Sequence, residues 1–141
     1  MELKFGVLAD YAGQGAAGKV ILVGIFDTIF DALRVVPIPM PQFFLFAAME
    51  AHVTEGTDHT AVVHLTTADG ADLPNPIRLE LPFKFGARGR GRKMVGNLVI
   101  AVPPGLGLPA RGAYEFSILL DGHHVGSIPL YVDEAQQTFP T

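Results

Sequence analysis

The chain contains no cysteine, and this absence excludes several classes of protein. Without thiols there is no disulfide framework, no cysteine-ligated zinc or iron-sulfur site and no thiol nucleophile. Charged residues are also scarce, at 17% against a usual share of about 25%. The folded state must therefore be stabilised mainly by the packing of apolar side chains.

Serine is nearly missing as well, since Ser117 and Ser127 are the only two in the chain. Neither lies in the GxSxG pattern of a nucleophile elbow, so a serine hydrolase is not expected. No GxxxxGK[ST] motif and no GxGxxG motif opens a helix, which disfavours phosphate and dinucleotide binding through such loops. The sequence therefore predicts a protein without catalytic activity and without a cofactor.

Long apolar runs are missing too. Lys19 and Asp27 flank the apolar segment VILVGIF, and three prolines interrupt residues 35–49, so neither reaches the roughly 20 apolar residues that cross a bilayer. The apolar run from Phe5 to Ala9 is shorter than the core of a signal peptide. We expect a cytoplasmic protein with no membrane partner.

Hydrophobic residues, by contrast, make up 49% of the chain, which also has 16 glycines and 11 prolines. The hydrophobic share excludes a disordered chain, and this frequency of glycine and proline favours many short strands joined by turns. The length of 141 residues is that of one domain. We predict a single domain over residues 1–141.

Apolar and polar residues alternate in several segments, most clearly between Ile77 and Phe85, and this is the pattern of a half-buried strand. Segments 19–26 and 94–102 are apolar on both faces, as expected of central strands or of strands under an interface. Asp27 to Leu33 is the only candidate helix, with Asp27 as its N-cap. Eight strands are predicted, at roughly 3–10, 19–26, 43–53, 60–67, 77–85, 94–102, 114–120 and 128–132.

Eight short strands without a repeat period favour an antiparallel β-sandwich or a small barrel. Gly112 precedes Tyr114 by two residues at the start of a predicted strand, as in the tyrosine corner of immunoglobulin-like sandwiches; otherwise Tyr114 is an alternating core aromatic. Phe116 stands where immunoglobulin domains keep a cysteine, so packing is expected to replace the disulfide. Asp121 and Gly122 predict the turn of the last hairpin. The predicted fold is an all-β, immunoglobulin-like antiparallel sandwich of about eight strands.

Basic residues cluster in one run, Arg88, Arg90, Arg92 and Lys93, although the net charge is −4. Alternating glycine and arginine lets backbone amides and guanidinium groups approach a phosphate or carboxylate together, so the run is a candidate anion site. The competing interpretation is a turn between two strands, with glycines that supply its geometry. The acidic balance elsewhere disfavours nucleic acid binding.

Histidines form a candidate metal site. If Glu55–Asp58 is a hairpin loop, His52 and His59 lie nearly opposite each other and His64 shares their polar face. Three imidazoles on one face are suited to Zn²⁺ or Ni²⁺. Solvated surface histidines are the competing interpretation, because no HExxH signature is present.

Three acidic residues form a candidate calcium site. Asp10, Asp27 and Asp31 are expected to gather at one end of a sandwich, as calcium-binding loops do, if their strands end there. The DxDxDG spacing of a calcium loop is absent, so this site stays secondary.

The order of three motifs, LADYA (Leu8 to Ala12), GKVILVGIFD (Gly18 to Asp27) and RGAYEFSILLDG (Arg111 to Gly122), carries a resemblance. The chain resembles a family of small uncharacterised bacterial proteins, with an ADYA-like opening strand, a GKxxxxGxFD strand and a closing GxYxFxxxxDG hairpin. The resemblance implies a β-sandwich of bacterial origin with no assigned activity, and it carries over no catalytic residue.

These observations favour a non-catalytic interaction or structural module. Few charges and strands that are apolar on both faces indicate a surface that contacts another protein or a second copy of this chain. Two alternatives remain at this point: an anion binder that uses the basic run at 88–93, and a metal-binding protein that uses His52, His59 and His64.

Overall fold

The protein is built almost entirely from β-strands. The computed structural model describes residues 1–16, 19–31, 33–86 and 91–134, with the backbone alone for residues 75 and 76. No helix in these ranges is long and apolar enough to cross a membrane. The elements are β1 (Glu2–Gln14), β2 (Val20–Phe26), β3 (Thr28–Asp31), β4 (Ile38–Pro39), β5 (Phe43–His52), a 3₁₀ turn (Val53–Glu55), β6 (Asp58–Thr67), β7 (Asp72–Lys84), β8 (Lys93–Val102), β9 (Gly107–Leu108), β10 (Gly112–Leu120) and β11 (His123–Glu134).

The long strands form two sheets. The four-stranded sheet has the order β2-β1-β5-β8 and the five-stranded sheet the order β3-β11-β10-β6-β7, while β4 and β9 form a small separate pair. The all-β prediction is confirmed. The expectation of purely antiparallel pairing is wrong at one place, because β3 runs parallel to β11. The reason is topological: β3 follows β2 directly after Asp27 and crosses to the edge of the other sheet, where it lies beside the last strand.

Each of the eight predicted segments lies on a long strand, and the structure adds the short strands β3, β4 and β9. The predicted helix from Asp27 to Leu33 is wrong, since Thr28–Asp31 is strand β3. Ile29 of this strand is buried while Phe30 is exposed, which is strand alternation. Pairing with β11 satisfies backbone groups that a helical turn would otherwise have bonded internally.

The core lies between the inner faces of the two sheets. Phe43 of β5 and Phe116 of β10 are fully buried, and their ring centroids lie 6.1 Å apart at 71°. Burying one such side chain contributes roughly 1.5–3 kcal/mol. Packing between Phe116 and Phe43 therefore joins the two sheets at Phe116, the position where immunoglobulin domains have a disulfide-forming cysteine.

Backbone anchors hold the strand β10. The Tyr114 hydroxyl donates a hydrogen bond to the carbonyl oxygen of Ala110 at 2.5 Å, which is the bond that the tyrosine-corner prediction requires. Gly112 has φ of 141°, a value that favours glycine. At the far end, Asp121 and Gly122 have φ of 52° and 82° and close the β10–β11 hairpin, as predicted.

Replacement of Tyr114 by Phe tests this anchor. Tyr114→Phe removes the hydrogen bond between the hydroxyl of the buried Tyr114 and the Ala110 carbonyl oxygen, and we expect a loss of about 1 kcal/mol in the free energy of unfolding. Urea unfolding followed by circular dichroism measures the change. Tyr131→Phe is the matched control, because Tyr131 is 44% exposed, and its effect should stay within about 0.5 kcal/mol. Equal midpoints for the two variants would contradict the role of the hydroxyl.

Candidate interaction surface

Two neighbouring rows of side chains on the outer face of the four-stranded sheet are apolar. Cross-strand partners share a face of a sheet, so the register defines rows of neighbouring side chains. One row from β2 to β8 consists of Ile25, Ala9, Phe44 and Ala101. The adjacent row on β1, β5 and β8 consists of Val7, Phe46 and Val99. Neither row contains a charged or hydrogen-bonding side chain.

Aromatic rings stand on this outer face. Tyr11 packs edge-on against Phe44 with ring centroids 5.4 Å apart, and Phe5 packs against Phe46 at 6.1 Å. Tyr11 and Phe5 are still 49% and 48% exposed. Rigid aromatic side chains that are held by neighbours yet open to solvent are typical of protein interfaces.

Strand β2 forms one edge of this sheet and is the least buried of the long strands. Its seven residues contain no charge and no proline, and none of them is buried. Ile21, Val23 and Ile25 project from it and are 49%, 55% and 58% exposed. The hairpin of β1 and β2 extends beyond β5, whose last partner on β1 is Ala9. Within the described residues, Ile21 and Val23 therefore have no third strand beside them.

The expectation that segments 19–26 and 94–102 are central strands is wrong. They correspond to β2 and β8, the two edges of the four-stranded sheet. On β8 only the inner side chains are buried, and Val95 on the outer face is 46% exposed. The exposed apolar side chains of the two strands, Ile21, Val23, Ile25 and Val95, are thus left uncovered by the described part of the chain.

Charged residues lie at one end of the outer face. The Lys93 ammonium is 3.1 Å from Glu50 Oε1, and the Lys4 ammonium is 3.9 Å from the same oxygen. Both lysines are about half exposed or more, so these ion pairs add little stability. They form a polar rim beside an apolar patch, which is the usual anatomy of an interface.

The predicted anion site lies partly outside the described residues. Arg88 and Arg90 lie outside the described residues, so that part of the prediction stays untested. Arg92 is exposed and its carbonyl oxygen accepts a hydrogen bond from the Val53 amide at 2.7 Å. Lys93 faces Glu50, as described above.

The predicted histidine site is wrong in its geometry. Glu55–Asp58 is not a hairpin loop, because β5 and β6 belong to different sheets. His52 stands at the end of β5, where its Nδ1 accepts a hydrogen bond from the Thr54 amide. His59 points into the core, and His64 lies on the opposite face of β6, 3.5 Å from Asp72. No group of three metal-ligating side chains occurs among the described residues.

His59 has a structural role instead. Its Nδ1 lies 2.5 Å from Asp121 Oδ2, and its Nε2 lies 2.8 Å from the carbonyl oxygen of Gly56. Both partners only accept hydrogen bonds, so the two nitrogens donate together when the imidazole is protonated. Asp121 Oδ1 also accepts the Thr60 amide at 2.8 Å, which ties the start of β6 to the β10–β11 turn.

These contacts shift both pKa values. Burial of the imidazole, the largest single influence, favours its neutral form, but the bonds to Asp121 and Gly56 and the charges of Asp121 and Glu55 outweigh it and raise the pKa of His59. The Thr60 amide and then His59 lower the pKa of Asp121. The pair is therefore an ion pair in mildly acidic solution.

Two of the three predicted carboxylates come together. Asp10 and Asp31 line one groove, whereas Asp27 lies at a separate hollow beside Gly6 and Ile128. Asp31 is nearly fully buried and accepts hydrogen bonds from the Arg34 amide at 2.8 Å and the Arg111 Nε at 3.2 Å. Its oxygens are thus occupied by protein donors, which does not fit a calcium ligand.

Ile21, Val23 and Ile25 were not among the predicted site residues. The signal in the sequence was the seven-residue segment VILVGIF without a charge between Lys19 and Asp27. The same segment is typical of a central strand, and only the strand order separates the two interpretations.

The molecule is an all-β protein of two sheets around a common apolar core, and the outer face of its four-stranded sheet carries exposed apolar side chains and an uncharged edge strand. Residues 4–133 match the family described as "Family of unknown function (DUF6941)", and the chain belongs to that family. Comparison with curated proteins gives no match. Membership of an uncharacterised family is thereby confirmed, while bacterial origin stays a prediction.

The His59–Asp121 pair predicts a specific pH dependence of stability. A raised pKa of His59 stabilises the fold fully below its ordinary value of 6.5, and this contribution is lost as the pH rises through the raised value. A lowered pKa of Asp121 stabilises the fold above its ordinary value of 3.8, and this contribution is lost as the pH falls through the lowered value. Both contributions are present between these two ordinary values.

Asp121→Asn tests this coupling, because asparagine keeps the left-handed turn conformation and an acceptor for Thr60. We expect the variant to lose more stability at a pH of about 5.5 than at about 8.5, measured as the urea midpoint relative to the unmodified protein. Asp58→Asn, at an exposed carboxylate 3.9 Å from Lys84, is the control and should show similar small losses at both pH values. A loss for Asp121→Asn that does not depend on pH would contradict the ion pair.

Proposed function

We propose that this protein is a non-catalytic interaction module, an immunoglobulin-like β-sandwich that pairs with a second copy of itself along strand β2. The observation that carries the proposal is that β2 is an edge strand of seven uncharged residues, none of which is buried. An edge strand leaves backbone N–H and C=O groups available to another strand.

The strand order supports the immunoglobulin-like part of the proposal. The neighbours β1, β5 and β8 correspond to strands A, B and E of that plan, and β6, β10 and β11 to strands C, F and G. Tyr114 then lies on strand F with its hydroxyl bonded upstream, as in a tyrosine corner. The departure is the insertion of β2 and β3 between A and B, and it is this insertion that supplies the free edge.

The other edges support β2 as the pairing strand, because each has protection that β2 lacks. Strand β7 carries Arg78, Glu80 and Pro82 within its ladder, and β3 is only four residues long. Strand β8 begins with Lys93, and Gly86 bridges to it at Val95. Charges, prolines, short length and covering segments are the devices by which proteins prevent pairing at sheet edges.

The apolar area supports an interface of ordinary size. Five side chains of the outer face on β1 and β2 are each about half exposed: Phe5, Tyr11, Ile21, Val23 and Ile25. Side chains of this kind offer roughly 150–200 Å² each, so the group leaves on the order of 500 Å² of apolar surface in solvent. That is near the upper limit of about 600 Å² for a monomer and more than half of the roughly 800 Å² that one partner buries in a standard interface.

The composition of β2 is self-complementary. In an antiparallel pair centred on Val23, the two copies of Val23 lie opposite each other and Ile21 of one protomer lies opposite Ile25 of its partner. The two four-stranded sheets then form one continuous sheet of eight strands across a two-fold axis. Apolar cross-strand pairs of this kind stabilise antiparallel sheets.

The proposal places the protein in the bacterial cytoplasm, with protein rather than nucleic acid or membrane as its partner. A net charge of −4 disfavours binding to a polyanion. The lack of cysteine is compatible with a reducing compartment, where small proteins do not rely on disulfides.

Sedimentation equilibrium of the full chain from about 1 µM to about 1 mM tests the pairing. We expect a monomer–dimer equilibrium for the unmodified protein. Val23→Lys places a charge opposite its own copy, and it should weaken the dimer by at least about ten-fold.

Val95→Lys is the matched control, because it makes the same substitution at a similarly exposed position on the opposite edge of the same sheet. This variant should dimerise as the unmodified protein does. A strict monomer over the whole concentration range overturns the proposal, and so does a dimer that Val95→Lys disrupts but Val23→Lys does not.

A further inference from the structure

A groove of about 640 Å³ opens between the edges of the two sheets. The chain leaves the four-stranded sheet at the end of β2 and enters the five-stranded sheet at β3, and Asp27 alone separates these strands. Strand β4 and the residues that follow it cross below the gap. The volume lies within the range of roughly 300–1,000 Å³ that is usual for small-molecule sites.

Apolar side chains line most of the groove, beside Asp10, Thr28 and Asp31. Ile29, Ile38 and Met40 belong to the buried core and form its floor. Phe30 and Leu33 stand at the rim and are 46% and 69% exposed. A ligand that fills this groove would remove apolar surface of Phe30 and Leu33 from water, at roughly 25 cal/mol per Å².

Two carboxylates face the groove, and they differ in their partners. Asp31 is held by the Arg111 guanidinium and the Arg34 amide, so its charge is balanced within the protein. Asp10 has no hydrogen-bond or ion-pair partner among the described residues. The groove therefore has one carboxylate whose charge is not matched by a cation of the described chain.

The backbone of Gly24 positions the Asp10 carboxylate. Gly24 has φ of 69°, and a Cβ at this residue would overlap Asp10 Oδ2 and Cγ. Glycine is therefore needed here both for its conformation and for the space that the carboxylate occupies. The Asp10 side chain packs over the backbone of β2 at Gly24, and this packing places the carboxylate along one wall of the groove.

We propose that this groove binds a small amphiphilic cation, an ammonium or guanidinium group on an apolar body, with Asp10 as the counter-ion and Phe30 and Leu33 as the apolar contact. The site goes beyond self-association, because its ligand contacts are Asp10 of β1 and Phe30 and Leu33 of the segment after β2. Three lining residues, Gly24, Ile25 and Phe26, also belong to strand β2.

The charge pattern selects a cation over an anion. Among the described residues, the Arg111 guanidinium is bound to Asp31 and the Arg34 guanidinium lies 3.9 Å from Glu134. An anionic ligand would be repelled by the Asp10 carboxylate, and the guanidinium groups of Arg34 and Arg111 are already paired with carboxylates. Asp10 is exposed, so solvent screens part of its attraction for a cation, and contact of the apolar body with Phe30 and Leu33 adds to the binding.

Three probes with the same tail and different heads test the proposal: n-hexylammonium, 1-hexanol and hexanoate. Each is titrated into the ¹⁵N-labelled full chain at constant ionic strength, and amide shifts are followed by NMR. We expect shifts centred on Gly24, Ile29 and Phe30, and a Kd for hexylammonium at least about five-fold below that for hexanol, with hexanoate the weakest.

Variants separate the head and tail contributions. Asp10→Asn should bring the affinity for hexylammonium down to that for hexanol and leave hexanol unchanged, while Asp58→Asn, a distant exposed carboxylate, should keep the preference. Leu33→Ser should weaken both ligands by a similar factor, because it removes an apolar wall without touching the core. Equal binding of amine and alcohol to the unmodified protein, shifts centred elsewhere, or an unchanged preference in Asp10→Asn overturns the proposal.

Discussion

The apolar layer between the two sheets is the constraint on which the rest of the structure depends. Phe43 and Phe116 meet across it, and no disulfide or metal-thiolate site assists them, since the chain has no cysteine. Successive side chains of a strand point to opposite faces, so filling this layer from β1 and β5 sends their alternate residues outward. Those outward residues include Tyr11 and Phe44. Packing of the core does not require them to be apolar, so the apolar outer face is a separate property of the sequence.

The crossing of the chain at Asp27 links the two proposed sites. Strands β2 and β3 are consecutive, yet each forms the edge of a different sheet. The Tyr131 amide donates to the Asp27 carbonyl oxygen at 2.7 Å and fixes the crossing point. On one side of this point β2 presents a free, uncharged edge, and on the other side the divergence of β2 from β3 leaves the groove that Asp10 faces. Both features arise where β2 and β3 lie between β1 and β5 in the chain.

Residue patterns predicted local structure well and spatial relations poorly. The alternation between Ile77 and Phe85 and the Asp121-Gly122 turn depend only on near neighbours, and both are present. The predicted histidine site failed because it needed β5 and β6 to be partners, whereas the chain changes sheets between them. The predicted helix at Asp27–Leu33 failed because apolar spacing over seven residues fits a helical turn and an edge strand equally well, and pairing with β11 decided between them.

The sequence by itself determined that the protein is β-rich, that it has no cysteine chemistry, and where its long strands lie, because period-two alternation and glycine or proline turns act within a few residues of chain. Only the tertiary structure decided that VILVGIF is an edge rather than a centre, that His59 is bonded to Asp121, and that Asp10 faces a groove. Those properties depend on which strands become neighbours, and strand order is set by the shared burial of segments far apart in the chain.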